Sequence, residues 1–256
     1  MNLALKKIDS INHSTITITG SKSETNRMLI LQALYPNISL ENISNSDDSK
    51  VMQKALQTLE NKIDIHHAGT SMRFLTAFFA IQNERKVILT GSSRMKERPI
   101  KILVDALNEL GANIIYTKNN GFPPLMITGK KLENHKISLA ANISSQYISA
   151  LLLIAPKLEN GLEITLKGKI TSIPYIKMTL ELLENIGVST EFKDQKITIQ
   201  PKIFIKNYHH VIESDWSSAS YFYALISLSK VGTTITLKSF KMKSGENWKV
   251  LQNFLF

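Results

Sequence analysis

The amino-acid sequence predicts an α/β protein in which helices and strands alternate and one unit is repeated. Apolar residues recur at helical spacing in some segments and alternate in others, and the two patterns follow each other along the 256 residues. Arg98–Ala112 and Ile173–Val188 look like copies of one unit, a proline-opened amphipathic helix followed by glycine and a short strand. Asp47–Ile65 looks like a looser third copy. We therefore expect a few βα units arranged about a pseudo-threefold axis.

The first part of the chain predicts five elements in order. Thr15–Thr19 alternates as a strand, and Ser23–Tyr35 carries its leucines at helical spacing. Ile38–Ile43 reads as a strand. Asp47–Leu59 is predicted to be a helix because two acidic residues at its start suit the positive end of a helix dipole. Thr70–Ile81 is expected to be a mostly apolar helix.

The middle of the chain continues the alternation. Lys86–Thr90 is predicted to be a strand and Pro99–Leu110 a helix, with proline in its first turn and glycine just past its end. Ser144–Ile154 is an apolar helix, and Glu163–Leu166 a strand. Pro174–Ile186 repeats the arrangement of proline at the start and glycine after the end.

The last part of the chain predicts a strand over Lys196–Gln200, a helix over Trp216–Ser229 and a strand over Thr233–Leu237. Between them, Pro201–His210 is polar and rich in lysine, so we expect the weakest joint of the chain there. Trp248–Phe256 reads as the middle of a helix.

The composition excludes several classes of protein. Without cysteine the chain has no disulfides, no cysteine-ligated zinc, no iron–sulfur cluster and no cysteine nucleophile. The longest apolar stretch, Tyr147–Pro156, is too short to span a bilayer. Lys6 and Lys7 interrupt any apolar segment of a signal peptide in Met1–Asp9. We therefore expect a cytoplasmic protein without a membrane partner.

The charge balance points to anionic partners. Lys plus Arg number 31 against 21 Asp plus Glu, which gives a net charge of +10. Lysines are scattered, whereas all arginines lie in the first hundred residues, most of them beside Ser, Thr or Gly: Arg27, Arg73, Arg85, Arg94 and Arg98. Arginine suits a bidentate grip on phosphate or carboxylate. No segment interleaves aromatic and basic residues as single-strand binders do, so we expect no nucleic-acid partner.

Small hydroxyl residues stand at the starts of successive predicted helices. The segments are Gly20–Arg27, Ala68–Arg73, Leu89–Pro99, Ser144–Tyr147, Ser172–Tyr175 and Glu213–Tyr221. Each could simply cap its helix. If several such N-termini converged, their free N–H groups would form a multidentate anion site. In it Lys22 would act as a point charge and Arg27 as a fork. His66 and His67 are adjacent, would point apart on a strand, and so do not predict a metal site.

The same segments, in this order, closely resemble the 5-enolpyruvylshikimate-3-phosphate synthase family, the enolpyruvyl transferases of the shikimate pathway. They are SKSETNR at 21–27, AGTSMRF at 68–74, LTGSSRMKERPI at 89–100, SSQYISALLLIAP at 144–156, PYIKMTLELLENIGV at 174–188 and DWSSASYFYA at 215–224. The resemblance implies an enolpyruvyl-transferase fold of two similar domains, each made of three βαβαββ units. It places one complete domain at 21–210 and assigns 1–20 and 211–256 to an incomplete second domain.

The resemblance also implies which residues hold two anionic substrates. Shikimate 3-phosphate is expected to contact Lys22, Ser23, Arg27, Ser144, Ser145, Gln146, Ser172 and Tyr175. Phosphoenolpyruvate is expected to contact Lys22, Gly69, Thr70, Arg94 and Gln146, with Lys22 as the activating cation. Arg73 shapes the same helix start, and Asp215 is expected to help close the cleft. His67 stands where many family members have asparagine.

The family's reaction adds the 5-hydroxyl of shikimate 3-phosphate to protonated phosphoenolpyruvate and then eliminates phosphate. It needs a general acid/base and cations around two anions, but no metal and no organic cofactor. The resemblance implies a monomer, with the acid/base groups in the later part of the second domain. We therefore expect a truncated chain, ending soon after Gly245–Lys249, that is inactive or very weak by itself.

Two alternatives stay open. A non-catalytic module that binds anions or nucleic acid would also use the positive charge. The sibling family that transfers enolpyruvyl to UDP-N-acetylglucosamine shares the fold, but it typically uses a catalytic cysteine, which this chain lacks.

Overall fold

The computed structural model describes residues 13–171 and 173–241. The helices are α1 (Lys22–Leu34), α2 (Asp47–Gln57), α3 (Gly69–Ala80), α4 (Lys101–Glu109), α5 (Ser145–Ile154), α6 (Ile173–Asn185) and α7 (Trp216–Ser227). The strands are β1 (His13–Thr17), β2 (Ile38–Glu41), β3 (Lys62–Asp64), β4 (Lys86–Thr90), β5 (Asn113–Tyr116), β6 (Leu125–Thr128), β7 (Lys136–Ala140), β8 (Leu162–Lys167), β9 (Thr190–Lys193), β10 (Lys196–Ile199), β11 (Tyr208–Val211) and β12 (Thr234–Lys238).

Two four-stranded sheets are copies of one βαβαββ unit. One sheet has the order β3-β4-β6-β5 and the other the order β7-β8-β10-β9. In each, the first two strands are parallel and flank a helix, and a following hairpin adds two antiparallel strands. A parallel pair needs a crossover, and α3 and α5 provide it. The repeated unit expected from the resemblance is therefore present twice in the described chain.

A third parallel pair is built from distant parts of the chain. β11 pairs with β2 in parallel. All strands of the two four-stranded sheets, β3 to β10, lie between these two strands in sequence. β2 follows α1, so β11 takes the place of the strand that should precede that helix. In the same way β1 pairs in parallel with β12, which follows α7. The chain therefore passes twice between the β1–β12 pair and the rest of the fold.

Six helices form a closed ring around a threefold centre. α1, α3 and α5 contact one another. α2 lies against α1 and α3, α4 against α3 and α5, and α6 against α5 and α1. Every residue of α3 except Thr70 is buried, and every residue of α5 except Gln146. Helices that are apolar on all sides belong in the interior of a fold. Together with the buried part of α1, Glu24–Leu31, these two helices form the centre of the core.

Truncating a side chain in this core is expected to be costly. Leu151 on α5 has no exposed surface, whereas Ile102 on α4 is 43% exposed. We expect Leu151→Ala to lower the free energy of unfolding by about 2–5 kcal/mol, because the cavity it leaves cannot fill. Ile102→Ala should cost less than about 1 kcal/mol. Urea unfolding followed by circular dichroism measures both, and equal losses would contradict an interior position for α5.

The structure corrects several sequence-based boundaries. Strands β6, β7 and β11 were not expected, and β11 begins inside the polar segment Pro201–His210. That segment is therefore no simple joint. The looser third copy, Asp47–Ile65, holds for its helix, because α2 takes the place in the ring that α4 and α6 take, but its strand β3 pairs in parallel with β4 and begins the next unit. His66 and His67 lie in a turn after β3, with His66 at a φ of 49°, and not on a strand.

Other differences concern single elements. α3 begins at Gly69 after Ala68, so Thr70 does not open the helix. α4 begins at Lys101, and Pro99 precedes it. None of the helices within 13–171 and 173–241 is long and apolar enough to cross a bilayer. The expectations for Met1–Asp9, Ser172, Gly245–Lys249 and Trp248–Phe256 concern residues outside the described ranges.

Candidate functional site

Four helix N-termini meet at one cavity of about 630 Å³. Its wall includes the first residues of α1, the cap of α2, the first turn of α6 and the cap and first turn of α7. The side chains that carry polar groups are Thr19, Lys22, Ser23, Ser44, Asn45, Ser46, Tyr175, Asp215, Trp216, Ser217 and Ser218. N-termini present free N–H groups and the positive ends of helix dipoles. The cavity is therefore suited to an anion.

The start of α1 contributes the positive charge of this cavity. Ser21 caps the helix by accepting a hydrogen bond from the Glu24 N–H, with 3.5 Å between the atoms. Lys22 is exposed and Ser23 half-buried, and both line the cavity. Because the cap fixes where the helix begins, it also fixes the direction in which Lys22 leaves the backbone.

Arg27 lies one turn further along α1 and is buried, with 3% of its surface exposed. Its Nε donates to Thr179 Oγ1 at 2.8 Å, and its two Nη atoms donate to Ser149 Oγ at 3.0 Å and to the Ser23 carbonyl at 2.8 Å. The guanidinium also lies 6.0 Å from the ring centre of Tyr175. Arg27 therefore joins α1, α5 and α6 behind the cavity wall, and the structure does not place it among the lining side chains.

A second cavity, of about 550 Å³, is lined by His67, Arg94, Met95 and Arg98. The guanidinium of Arg98 lies over Gly69 at the start of α3, so close that a Cβ on this glycine would be 2.4 Å from Arg98 Nη1. Among the residues that the structure describes, no carboxylate forms an ion pair with Arg94 or Arg98. Two arginines beside a helix N-terminus suit a second anion.

Arg73 supports this second cavity from within the fold. Its Nη1 donates to the Gly69 carbonyl at 2.9 Å, and its guanidinium lies 5.9 Å from the ring centre of Tyr147. Burial lowers the pKa of Arg73, and the charge of Arg98 lowers it further. The positive charges of this region are therefore close enough to repel one another, and a bound anion would relieve that repulsion.

The start of α5 is connected to the start of α3. Ser144 caps α5 by accepting from the Gln146 N–H at 3.3 Å, and Ser145 is buried beneath it. Gln146 Nε2 lies 3.5 Å from Thr70 Oγ1, at the limit of a hydrogen bond. These residues line neither of the two cavities. His67 Nε2 lies 3.9 Å from Asp47 Oδ2 on the exposed surface.

The sequence analysis missed residues of both cavities. Ser44, Asn45 and Ser46 lie in the loop before α2, and their run of small polar residues before two aspartates was the available signal. Arg98 was noted among the arginines but was not assigned to a site. Asp215 caps α7 through a hydrogen bond of 2.7 Å from the Ser218 N–H, as expected for a helix start.

Glu24 is a buried carboxylate next to the first cavity. Its Oε1 lies 2.6 Å from His210 Nε2 and 3.1 Å from Lys241 Nζ, and its Oε2 accepts from the Glu213 N–H at 3.2 Å. Burial opposes the ionisation of Glu24, but the hydrogen bond of His210 and the charge of Lys241 outweigh it. They hold the pKa of this carboxyl below its ordinary value of 4.5.

This lowered pKa makes the stability of the protein depend on pH. The folded state binds the Glu24 proton more weakly than the unfolded chain, so the ionised carboxylate stabilises the fold above about pH 4.5. That contribution is lost as the pH falls through the lower pKa of the folded state. We expect the difference in free energy of unfolding between the wild type and Glu24→Gln to be full at pH 7 and to shrink below pH 4.5.

Urea unfolding at a series of pH values measures this difference. Glu60→Gln, on the exposed surface between α2 and β3, is the control and should leave the profile unchanged. A difference that persists undiminished in acid would show that the charge of Glu24 is not what stabilises the fold.

Comparison with known proteins gives consistent results. The sequence profile of EPSP synthase (3-phosphoshikimate 1-carboxyvinyltransferase) matches residues 60–253. A 3-phosphoshikimate 1-carboxyvinyltransferase of Bacteroides fragilis strain YCH46 is 49% identical over 221 residues, which cover 84% of this chain and 53% of the relative. One from Histophilus somni strain 2336 is 38% identical and is covered over 58% of its length. The chain thus spans a little more than half the length of these relatives.

The fold also matches a solved structure. EPSP synthase from Acinetobacter baumannii superposes with a TM-score of 0.74 at 20% sequence identity, over 91% of this chain and 57% of that one. The mixed α/β fold with its repeated units is therefore confirmed. The sequence profile covers most of the chain and includes five of the six motifs recognised in the sequence, all except the one at 21–27. The chain belongs to the EPSP synthase (3-phosphoshikimate 1-carboxyvinyltransferase) family.

Proposed function

We propose that this chain carries the shikimate 3-phosphate half of an enzyme that transfers the enolpyruvyl group of phosphoenolpyruvate to the 5-hydroxyl of shikimate 3-phosphate. The observation that supports this most is the cavity at which four helix N-termini meet beside Lys22 in a member of this family. The backbone N–H groups at these helix starts and Lys22 provide the binding of the shikimate 3-phosphate phosphate, and Asp215 at the same wall caps α7. Ser23 and Tyr175 supply hydroxyl groups at the same wall.

The second cavity is proposed to hold phosphoenolpyruvate. This substrate carries a carboxylate and a phosphate, and Arg94 and Arg98 offer two forked cations for them. Gly69 and Thr70 begin α3 beneath this place, and Gln146 reaches Thr70 from α5. Gln146 lies between the starts of α3 and α5 but lines neither cavity, so its contact with both substrates stays a prediction.

The chemistry proceeds by addition and elimination. The oxygen of the 5-hydroxyl bonds to C2 of phosphoenolpyruvate while its methylene carbon takes up a proton, and the hydroxyl proton leaves to a base. The tetrahedral intermediate then loses a methyl proton and expels phosphate, which restores the double bond. Cations at both anions stabilise the charge of this intermediate. We assign the acid/base groups to the part of the relatives that this chain does not span, so the chain alone should turn over very weakly.

The helix ring supports the division into domains that we propose. Residues 21–210 would form a complete domain, because α1–α6 close on themselves and β11 supplies the third parallel pair. Residues 1–20 and 211–256 would belong to a second domain. We propose a cytoplasmic monomer whose partners are the two substrates, without nucleic acid, metal or organic cofactor.

Titration of the purified chain with shikimate 3-phosphate tests the proposal. Calorimetry should show saturable one-to-one binding, and a steady-state assay should show turnover far below that of full-length relatives. Turnover equal to theirs would contradict the assignment of the acid/base groups. Absence of shikimate 3-phosphate binding, together with DNA binding that falls steeply with salt, would favour a nucleic-acid-binding module instead. Competition by UDP-N-acetylglucosamine would favour the sibling transferase.

A further inference from the structure

Glu24 lies on the first turn of α1, beside two segments, here called the crossings, that connect the helix ring to the part of the fold with β1, β12 and α7. One crossing runs from β1 to α1 through residues 18–21, and the other from β11 to α7 through residues 212–215. Glu24 itself is 5% exposed. Its immediate neighbours Lys22 and Ser23 line the first cavity, as does Asp215 at the other crossing.

The two crossings are hydrogen-bonded to each other. The Ser21 N–H donates to the Glu213 carbonyl at 2.7 Å, and the Asp215 N–H donates to the Thr19 carbonyl at 3.1 Å. Gly20 and Ser214 form an isolated antiparallel bridge between them. This paired stretch has far fewer backbone hydrogen bonds than a sheet. Side chains must therefore help to hold the two crossings in register.

Glu24 contacts three separate elements around these crossings. It contacts His210 on β11, the backbone of Glu213 at the second crossing and Lys241 just after β12. Lys241 is held from a second side, since its N–H donates to Glu213 Oε1 at 3.0 Å. One carboxylate thus accepts hydrogen bonds from donors that are distant in sequence.

The groups around Glu24 are themselves held by further hydrogen bonds. The Tyr208 hydroxyl lies 3.1 Å from His210 Nδ1, and the Trp216 Nε1 donates to Glu213 Oε1 at 3.0 Å. A buried carboxylate is costly to desolvate, and its hydrogen bonds and the charge of Lys241 offset that cost only while His210, Glu213 and Lys241 surround it. The position of Glu24 between α1, β11 and β12 therefore favours the one arrangement of these elements in which all of its partners are in place.

We infer that Glu24 is a positioning residue that locks the two crossings against α1, so that Lys22 and Ser23 face Asp215–Ser218 across one cavity. The effect on shikimate 3-phosphate rests on the proposed function, whereas the effect on the crossings does not. Glutamine at this position keeps the size of the side chain but has no negative charge to pair with Lys241. Its NH₂ group is a donor and would face the other donors that now bind the carboxylate. The crossings then lose their common anchor.

Hydrogen exchange and ligand titration test this with matched variants. We expect Glu24→Gln to increase exchange at the amides of Ser21 and Asp215 by about tenfold or more beyond its effect on Ile127 in β6, whose exchange follows global unfolding, and to weaken shikimate 3-phosphate binding by about tenfold. Glu163→Gln is the control, because Glu163 also lies against two lysines but on β8, and it should change none of these values. Lys241→Met replaces a half-exposed side chain and should show the same local pattern in a weaker form.

The possible outcomes separate the inference from the proposed function. Unchanged exchange at Ser21 and Asp215 in both variants would overturn the inference, and so would an equal increase at Ile127, which would indicate a purely global loss of stability. If Glu24→Gln does not fold, Lys241→Met alone decides on the same amides. A wild-type chain that does not bind shikimate 3-phosphate would refute the proposed function and leave the exchange results to decide on Glu24.

Discussion

Replacing Arg27 with alanine is expected to abolish detectable binding of shikimate 3-phosphate, with an affinity loss of about 100-fold or more. Arg27 is buried and donates to Thr179, Ser149 and the Ser23 carbonyl, so its removal breaks three hydrogen bonds to a charged donor; Thr179 and Ser149 keep only the bond between their hydroxyls and the bond of Thr179 to the Tyr175 carbonyl. Hydrogen bonds to a charged group contribute about 1.5–3 kcal/mol each, so we expect a total loss of about 3–5 kcal/mol in free energy of unfolding. The starts of α1 and α6, which line the cavity, would separate as a result.

Calorimetric titration and urea unfolding measure these two effects. Arg85→Ala is the control, since Arg85 also donates to carbonyl groups, those of Leu59 and Glu60, but lines neither cavity. Thr179→Val removes one acceptor of Arg27 without opening a large void, and it should weaken binding by about tenfold while the fold persists. Wild-type affinity in Arg27→Ala would refute the shikimate 3-phosphate assignment of this wall.

Replacing Gly69 with alanine is expected to lower the affinity for phosphoenolpyruvate by about 10- to 100-fold in the presence of saturating shikimate 3-phosphate. The new Cβ would lie 2.4 Å from Arg98 Nη1 and 2.9 Å from its Cζ, so the guanidinium must move away from the start of α3. The free energy of unfolding should change little, because the φ angle of Gly69 is not positive and alanine is a better helix former than glycine. The change therefore acts on the anion site and leaves the helix intact.

A double-mutant cycle checks that the effect passes through Arg98. Arg98→Ala alone should weaken phosphoenolpyruvate binding, and Gly69→Ala combined with Arg98→Ala should be no weaker than Arg98→Ala alone. Calorimetric affinities of the four proteins give the coupling. Additive losses would show that Gly69→Ala does not act through Arg98, and an unchanged affinity in Arg98→Ala would show that Arg98 does not hold phosphoenolpyruvate.

The sequence was most informative where one residue type has a local function. Ser21, Ser144 and Asp215 each cap a helix as their pattern predicts, because a cap depends only on residues two or three positions away. The repeated unit was visible for the same reason, since proline, helix, glycine and strand follow one another locally. Short strands such as β6 and β11 were not predicted, because four residues carry too little periodicity.

The role of Arg27 shows the limit of this reasoning. Its place on α1 suggested a side chain in direct reach of a phosphate, but α5 and α6 enclose it and take its hydrogen bonds. The partners of Glu24 were equally invisible, because His210 and Lys241 are brought to it only when β11 and β12 pair with strands from the start of the chain. Both side chains depend on contacts between residues that are far apart in sequence.

The sequence by itself determined the alternation of elements, the repeated unit, the motifs and the family of this protein. These depend on residue types at short spacing, which a single chain displays directly. The tertiary structure alone decided which helix N-termini meet at a cavity, that Arg98 covers Gly69, and that Glu24 lies between the two crossings. The physical reason is that the parallel pairs β2–β11 and β1–β12 join the two ends of the chain. Pairing across such a separation leaves no local pattern in the sequence.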